Sequence, residues 1–356
     1  GGFQPVQAYD VLVANLDPGL RRQPPPDGPG PLLDFFPRGL TTQEVTMLLL
    51  QGNDDPNRLA AEQALLELAD RGPGPKRGVS IYSYSGELGV TMTLEDCLVD
   101  MHDMGARGLE ILSSAHVEDY PHPSDAWLER WRALLVKYDI VPVEYGHWVD
   151  SRLHAGRELS TRESFDMLVR DIKLAHALGF TVMRTKLGVT DEMLTPVANW
   201  REIISMALPV AEQHDVRMCP ELHQPTALKS KMVDDYVEFI QKTGTKHFGL
   251  NIDFGVFQAP EARIRIPGMD NPPSAPEDMI PLLPYTYACH AKFTHMTDEL
   301  VEATHPYEQI VALMRQHQWS GYLLSEYEGE NKDVPGHSSD QLRRQHVMLR
   351  RLLGEA

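Results

Sequence analysis

The sequence predicts an α/β protein: a (β/α)8 barrel preceded by an N-terminal extension. Three observations carry this prediction. Eight short β-branched or apolar runs recur between Gly78 and Glu326, each followed by an amphipathic helical stretch or a loop leading to one. Several helical stretches end in glycine just before the next run, as at Met104-Gly105 and Leu178-Gly179, where glycine supplies a left-handed cap. No run is followed by the glycine-rich phosphate turn that a dinucleotide-binding doubly wound sheet needs. Eight alternations over this length match a closed barrel.

The elements read in order as follows. Residues 1–77 form the extension. It contains a Pro/Gly-rich arm around 18–37 and two helical segments, about Thr42–Gln51 and Pro56–Ala69. RGPGPKRG (Arg71–Gly78) then breaks the chain, and the barrel is expected over 78–356. Its strands are GVSIYSY, GLEILSS, IVPVEYG, TVMRTK, VRMCPE, FGLNID, TYACHAKF and GYLLSE. Helices are expected at Leu94–Met104, Ser124–Tyr138, Arg162–Leu178, Trp200–His214, Met232–Thr243, Tyr307–Gln316 and Gln341–Leu353. Between the sixth and seventh strands stands a proline-rich loop (Gln258–Ala275) and a short segment, Glu277–Leu283.

Composition narrows the function. Acidic residues outnumber basic ones 51 to 33, a formal charge of −18, and such a surface repels phosphate backbones, so nucleic acid is not an expected partner. No apolar run approaches the ~20 residues of a membrane helix, so no membrane association is expected. Cys97, Cys219 and Cys289 are too few and scattered for a disulfide framework or a thiolate zinc site. The chain opens Gly1-Gly2-Phe3 without a basic segment leading into an apolar stretch, so no export signal and a cytoplasmic setting are expected.

In a barrel of this kind, function gathers at the C-terminal ends of the strands. Strand five ends in Glu221, strand six in Asp253, strand seven, taken as TYACH, in His290, and strand eight in Glu326. Taken singly, a terminal Glu or Asp most often caps the next helix, and a lone His is most often a satisfied core residue. Taken together, three carboxylates on one rim, with no arginine close by in those strands, would repel one another. A divalent cation resolves that conflict. Three oxygen donors and one imidazole suit Mn2+ first, with Mg2+ or Co2+ as alternatives.

The order Glu, Asp, His, Glu resembles that of the xylose isomerase-like barrel superfamily, which includes sugar and sugar-phosphate isomerases and epimerases. The spacings of 32, 37 and 36 residues each suit one βα unit, and His-Ala-Lys at 290–292 resembles the family's seventh strand. The resemblance implies that Glu221, Asp253, His290 and Glu326 hold the metal. Epimerases of the family often carry a second His three residues after the Asp; here that position is Val256. Within the superfamily, TLEDC (Thr93–Cys97), the Pro-Ser-Asp-x-Trp start at Pro123–Trp127 and VRDIKLAHALGF (Val169–Phe180) resemble the α subunits of bacterial C-glycoside deglycosidases. That branch implies a 3-oxo-glycoside substrate, a divalent metal and a smaller β subunit; a homo-oligomer is the other assembly expected.

Other rim residues extend the site. His147 and Trp148 follow strand three, where Trp148 suits a sugar-stacking wall and a loop anchor equally. Glu144 suits the rim and the barrel layers equally. Lys186 ends strand four and could hold a substrate oxygen, as could Lys292. His223, two residues past Glu221, is placed for proton transfer or substrate contact, and His116 after strand two is a weaker contact candidate. Tyr82 and Tyr84 read as packing and the cysteines as buried bystanders. The chemistry implied is proton removal beside a carbonyl, assisted by a Lewis acid. As an isomerase or epimerase, Glu221 and Glu326 would also transfer protons on opposite sugar faces. As a lyase, His147 or His223 would take the C2 proton of a 3-oxo-glycoside and the aglycone would leave C1. No basic cluster suggests a phosphate clamp, so the substrate is expected to be unphosphorylated. Two further readings are an abasic-site endonuclease, which the charge opposes, and a non-catalytic sugar-binding barrel, which predicts missing ligands.

Overall fold

The computed structural model describes residues 32, 40, 42–49, 61, 74–149, 157, 159–188, 191, 193–263 and 272–355. The chain divides into two compact units, one of them Gly74–Glu355. In the other, a helix spans Thr42–Leu48, and Leu32, Val45 and Ala61 are buried together with Leu40 and Leu49 against them. The proline-rich arm and nearly all of the expected Pro56–Ala69 helix lie outside the described residues.

The larger unit is a parallel barrel. Its strand segments are β1 (Lys76–Ser80), β2 (Gly108–Leu112), β3 (Val141–Val149), β4 (Val182–Leu187), β5 (Arg217–Cys219), β6 (Glu221–Leu222), β7 (Leu250–Asp253), β8 (Thr286–Phe293) and β9 (Tyr322–Tyr327). They pair in the order β5-β4-β3-β2-β1-β9-β8-β7-β6. The two ends of that list are consecutive in the chain, separated by Pro220 alone. The expected fifth strand is therefore two pieces. Proline has no N–H for the ladder, so Arg217–Cys219 pairs with β4 while Glu221–Leu222 pairs with β7.

Helices α1 (Leu94–Asp103), α2 (Asp125–Lys137), α3 (Thr161–Ala177), α4 (Trp200–Gln213), α5 (Lys231–Thr243), α6 (Tyr307–Gln316) and α7 (His337–Leu353) follow successive strands. Local sequence explains their ends. Thr93 with Asp96, and Ser160 with Glu163, form capping boxes that start α1 and α3. Gly105 and Gly179 take positive φ, 71° and 90°, where those helices turn back to the sheet. Between β7 and β8 the chain forms a 3-10 helix, Pro276–Tyr285, instead of an α-helix. Pro281 and Pro284 within it lack the N–H groups an i→i+4 ladder requires. The last helix starts at His337, ahead of the expected Gln341, because Gly336 N–H donates to Glu87 from the first βα loop.

One apolar layer between sheet and helices holds these elements in place, with Leu98, Trp131, Ile172, Phe180, Ile204 and Phe248 at its centre. Side chains alternate along each strand. The register sets Glu110 beside Glu144, Glu221 beside Asn251, Asp253 beside His290, and Lys292 beside Glu326. Polar groups from opposite walls therefore meet inside the barrel.

Candidate metal centre

Glu221, Asp253, His290 and Glu326 converge at the C-terminal mouth, each offering a donor atom within 4.8 Å of all the others. The His290 ring is the hub. Its Nδ1 lies 2.7 Å from Glu221 Oε1, 3.4 Å from Glu326 Oε2 and 3.9 Å from Asp253 Oδ2. Asp253 is aimed locally: its Oδ1 accepts the Gly255 N–H at 2.7 Å. Only glycine fits there, since a Cβ on residue 255 would sit 2.5 Å from Asp253 Oδ1.

Beneath this cluster lies a second one. His290 Nε2 is 3.3 Å from Glu110 Oε2 and 3.3 Å from Glu144 Oε2. Asn251 Nδ2 donates to both Glu144 oxygens, at 3.1 and 3.2 Å. Glu144 thus faces the barrel interior. Sequence reasoning missed Glu110 and Asn251, for an acid or amide inside a strand gives no sign of its face until a neighbour's parity is known.

Two cations border the acids. The expectation of no arginine close by concerned the acids' own strands; from neighbouring β4, Arg184 reaches Glu221 Oε2 at 2.7 Å and Glu110 Oε1 at 3.2 Å. Gly146 on the adjoining strand leaves the space, as a Cβ there would stand 3.0 Å from Arg184 Nη2. Lys292 Nζ lies 2.9 Å from Glu328, 3.4 Å from Asp253 and 3.5 Å from Glu326.

The electrostatics follow from this crowding. Burial pushes the Glu221 carboxyl upward, but Arg184, His223 and His290 together hold it well below the usual carboxylate range. Burial likewise opposes ionisation of Glu326, which Lys292 and His290 overcome. Asp253 goes the other way: burial, with Glu326 and Glu221 alongside, lifts it well above the usual range despite Lys292. Burial works against a charged His290 ring, but Glu110, Glu326 and Glu221 raise its pKa well above that of a free imidazole.

The donor set fits a divalent cation. Asp253 Oδ2 and Glu326 Oε2, both fully buried atoms, make no hydrogen bond, and native proteins rarely leave such acceptors unmet. Three carboxylates and one imidazole match a hard or borderline ion such as Mn2+. A cavity of about 530 Å³ opens above them, with Tyr82, Arg184, His223, Gln224, Gln258, Lys292 and Glu328 on its walls.

The remaining predicted residues divide. His223 belongs to the site, its Nε2 4.0 Å from Glu221 Oε2, and so does Lys292. Tyr82, read as packing, instead lines the cavity with Lys332 stacked 4.0 Å above its ring. Tyr84 is packing as expected, buried with its hydroxyl donating to Asp100. His147 is a correction. It is buried on the outer face of β3, its Nδ1 3.3 Å from Asp171 on α3, because it stands three positions from inward-facing Glu144 and strand parity turns it outward. His116 is also not brought to the cluster: its Nδ1 accepts the Leu112 N–H at 2.9 Å, and it borders a separate groove with Leu88 and Leu94. The Trp148 and Lys186 backbones pair between β3 and β4; their side chains lie outside the described residues. The three cysteines are buried and unbridged. Among the described residues, no helix is long and apolar enough to cross a membrane.

Fold and site together define a class, and the sequence pattern of the xylose isomerase-like TIM barrel family matches residues 98–352. The chain belongs to that family. It is similar to the C-glycoside deglycosidase α subunit of Arthrobacter globiformis, 21% identical over 343 residues covering 80% of this chain and 94% of the relative. It is also similar to the 3'-dehydrocarminate deglycosidase α subunit of a Microbacterium species, 21% identical over 345 residues covering 79% and 96%. Among solved structures, D-psicose 3-epimerase of Clostridium cellulolyticum H10, determined with D-tagatose, shares the fold with a TM-score of 0.58. Its identity is 14%, over 79% of this chain and 100% of that one.

Proposed function

We propose that this chain is a Mn2+-dependent lyase that releases the aglycone from a 3-oxo-glycoside. The observation carrying this reading is the four-donor cluster around His290 at the base of a cavity, with His223 on its wall beside Glu221. Glu221, Asp253, His290 and Glu326 would hold the cation. When bound, a divalent ion supplies Lewis acidity, stabilising charge that develops on a carbonyl oxygen. His223 then accepts the proton from C2 of the sugar. The C–H electron pair becomes the C1=C2 double bond as the bond from C1 to the aglycone breaks, and the aglycone departs with that bond's electrons and takes up a proton. Lys292 would contact sugar oxygens at the cavity wall. His147 has no part in this step.

The isomerase or epimerase reading uses the same donors but asks Glu221 and Glu326 to exchange protons on opposite faces. Arg184 engages Glu221 Oε2, and Lys292 stands 3.5 Å from Glu326 Oε2. An imidazole outside the donor set is the better placed base, which favours the lyase. Relatives named as α subunits and matched over nearly their full length support a smaller partner subunit. Three unbridged cysteines suit a reducing, cytoplasmic setting.

The test is chelation followed by Mn2+ add-back, assayed on 3-oxo-glycosides and on free ketoses. Metal-dependent appearance of free aglycone is expected. A rearranged ketose without release would move the assignment to isomerase, no product from either substrate class would leave only a binding role, and Glu221→Gln retaining full activity would place the chemistry away from this centre.

A further inference from the structure

The layer beneath the candidate centre contains groups the chemistry above does not use. Glu110 and Glu144 are fully buried on β2 and β3, and both point at the same nitrogen, His290 Nε2, from 3.3 Å. Neither Glu110 oxygen makes an aligned hydrogen bond. Its neighbours are Arg184 Nε at 3.2 Å and the His290 ring. Burying an acid without hydrogen bonds is costly unless charge nearby repays it. Asn251 spends its amide protons on Glu144 and stands 3.1 Å from His290 Nε2, holding that carboxyl against the ring from the opposite wall.

We infer that Glu110 and Glu144 are positioning residues that fix the His290 ring for the cation: with an ion on Nδ1, the Nε2 side of the ring stands against their two carboxylates, 3.3 Å from each, and is held there. The ring has one acid set on each nitrogen, so an ion held on the upper side leaves the lower set to brace the ring. A metal-bound imidazole commonly gives its other N–H to a carboxylate, and loss of that partner weakens metal binding roughly 10–100-fold. The lower set, Glu110 and Glu144 with His290, also satisfies the distances of a metal group by itself. Asn251 argues against an ion there, because its amide nitrogen brings protons to the place such an ion would occupy. Arg184 then ties the layers together, holding Glu110 with Nε and Glu221 with Nη1.

This inference rests on the metal reading above, and one experiment separates the two. Mn2+ titration calorimetry is run on the full chain and on Glu110→Gln and Glu144→Gln, with thermal unfolding of each metal-free protein. The wild type is expected to bind one Mn2+ per chain, and each variant to bind about 10–100-fold more weakly. The metal-free variants are expected to melt close to the wild-type temperature, since Glu→Gln keeps the side chain's shape and one carbonyl acceptor toward the ring. A merely structural role would lower it. Glu110→Gln is the safer variant for folding, as its oxygens hold no aligned hydrogen bond. Affinity unchanged in both variants overturns the positioning role alone. Two Mn2+ per chain overturns it as well, making the lower layer a site. A wild type that binds no Mn2+ overturns the metal reading and this inference with it.

Discussion

Two buried histidines sit on the barrel wall with carboxylates around them, and they are built to opposite rules. His147, on the outer face of β3, meets Asp171, whose oxygens also receive the hydroxyls of Tyr120 and Tyr145 and the Arg170 guanidinium. There, donors outnumber acids. Burial pushes Asp171 up, but His147, Tyr145 and Arg170 draw it down to about 2. His290, on the inner face of β8, meets Glu110, Glu144, Glu221, Asp253 and Glu326. There, acids outnumber donors, and buried oxygens on Glu110, Asp253 and Glu326 go unmet. The comparison teaches that a buried histidine–acid contact is not itself a sign of function. An excess of unsatisfied acceptors facing a cavity is the sign, because a folded chain tolerates that excess only where another cation is supplied.

Breaking the inner set should give the largest effect. Asp253→Asn removes a donor directly and is expected to weaken Mn2+ binding by more than the roughly 100-fold that losing an outer partner costs; calorimetry reads it. Unchanged affinity would place the ion elsewhere. Next, His223→Asn should lower kcat about 10²–10⁴-fold, the range for a lost general base, while Mn2+ affinity stays within a few-fold. Steady-state assays of aglycone release check it, and a matching loss at His147→Asn would overturn the inner–outer distinction.

Breaking the outer set should instead cost stability. Asp171→Ala leaves His147, Arg170 and two tyrosines facing a lost charge and is expected to destabilise by about 3–5 kcal/mol with metal affinity intact, measured by urea unfolding. The smallest effect is the pH dependence. Asp171 has a folded-state pKa below its unfolded value, so its stabilisation is present in full above about pH 4 and is lost as pH falls toward 2. Roughly 2 kcal/mol should disappear across that window, and Asp171→Asn should abolish the slope. A slope that survives the substitution would trace it to other acids.

The comparison also explains how much was legible beforehand. The four donors, His290 among them, were readable because each is the polar residue that interrupts an apolar run, although only Asp253 ends its strand: Glu221 opens β6, and β8 and β9 run on past His290 and Glu326. His147 was misassigned to the mouth for a reason the sequence contains: it stands three positions from Glu144, so the two cannot share a face. Arg184 and Glu110 gave no such signal. An Arg inside TVMRTK or a Glu inside GLEIL points inward or outward according to the register of its neighbours. Pro220 was visible, but its consequence, a fifth strand split between two partners, follows only from closing the sheet.

The order of βα units, the caps at Thr93, Ser160 and Gly179, and the succession Glu221, Asp253, His290, Glu326 were determined by the sequence alone, because helix period, strand period and capping act over a few residues. Closure of the barrel decided the rest: that Arg184 spans Glu110 and Glu221, that Glu144 and Asn251 meet under His290, and that His147 turns away to Asp171. Those contacts join residues up to 146 positions apart (Glu144 to His290). Electrostatic pairing in a buried space depends on distances that only the assembled register sets.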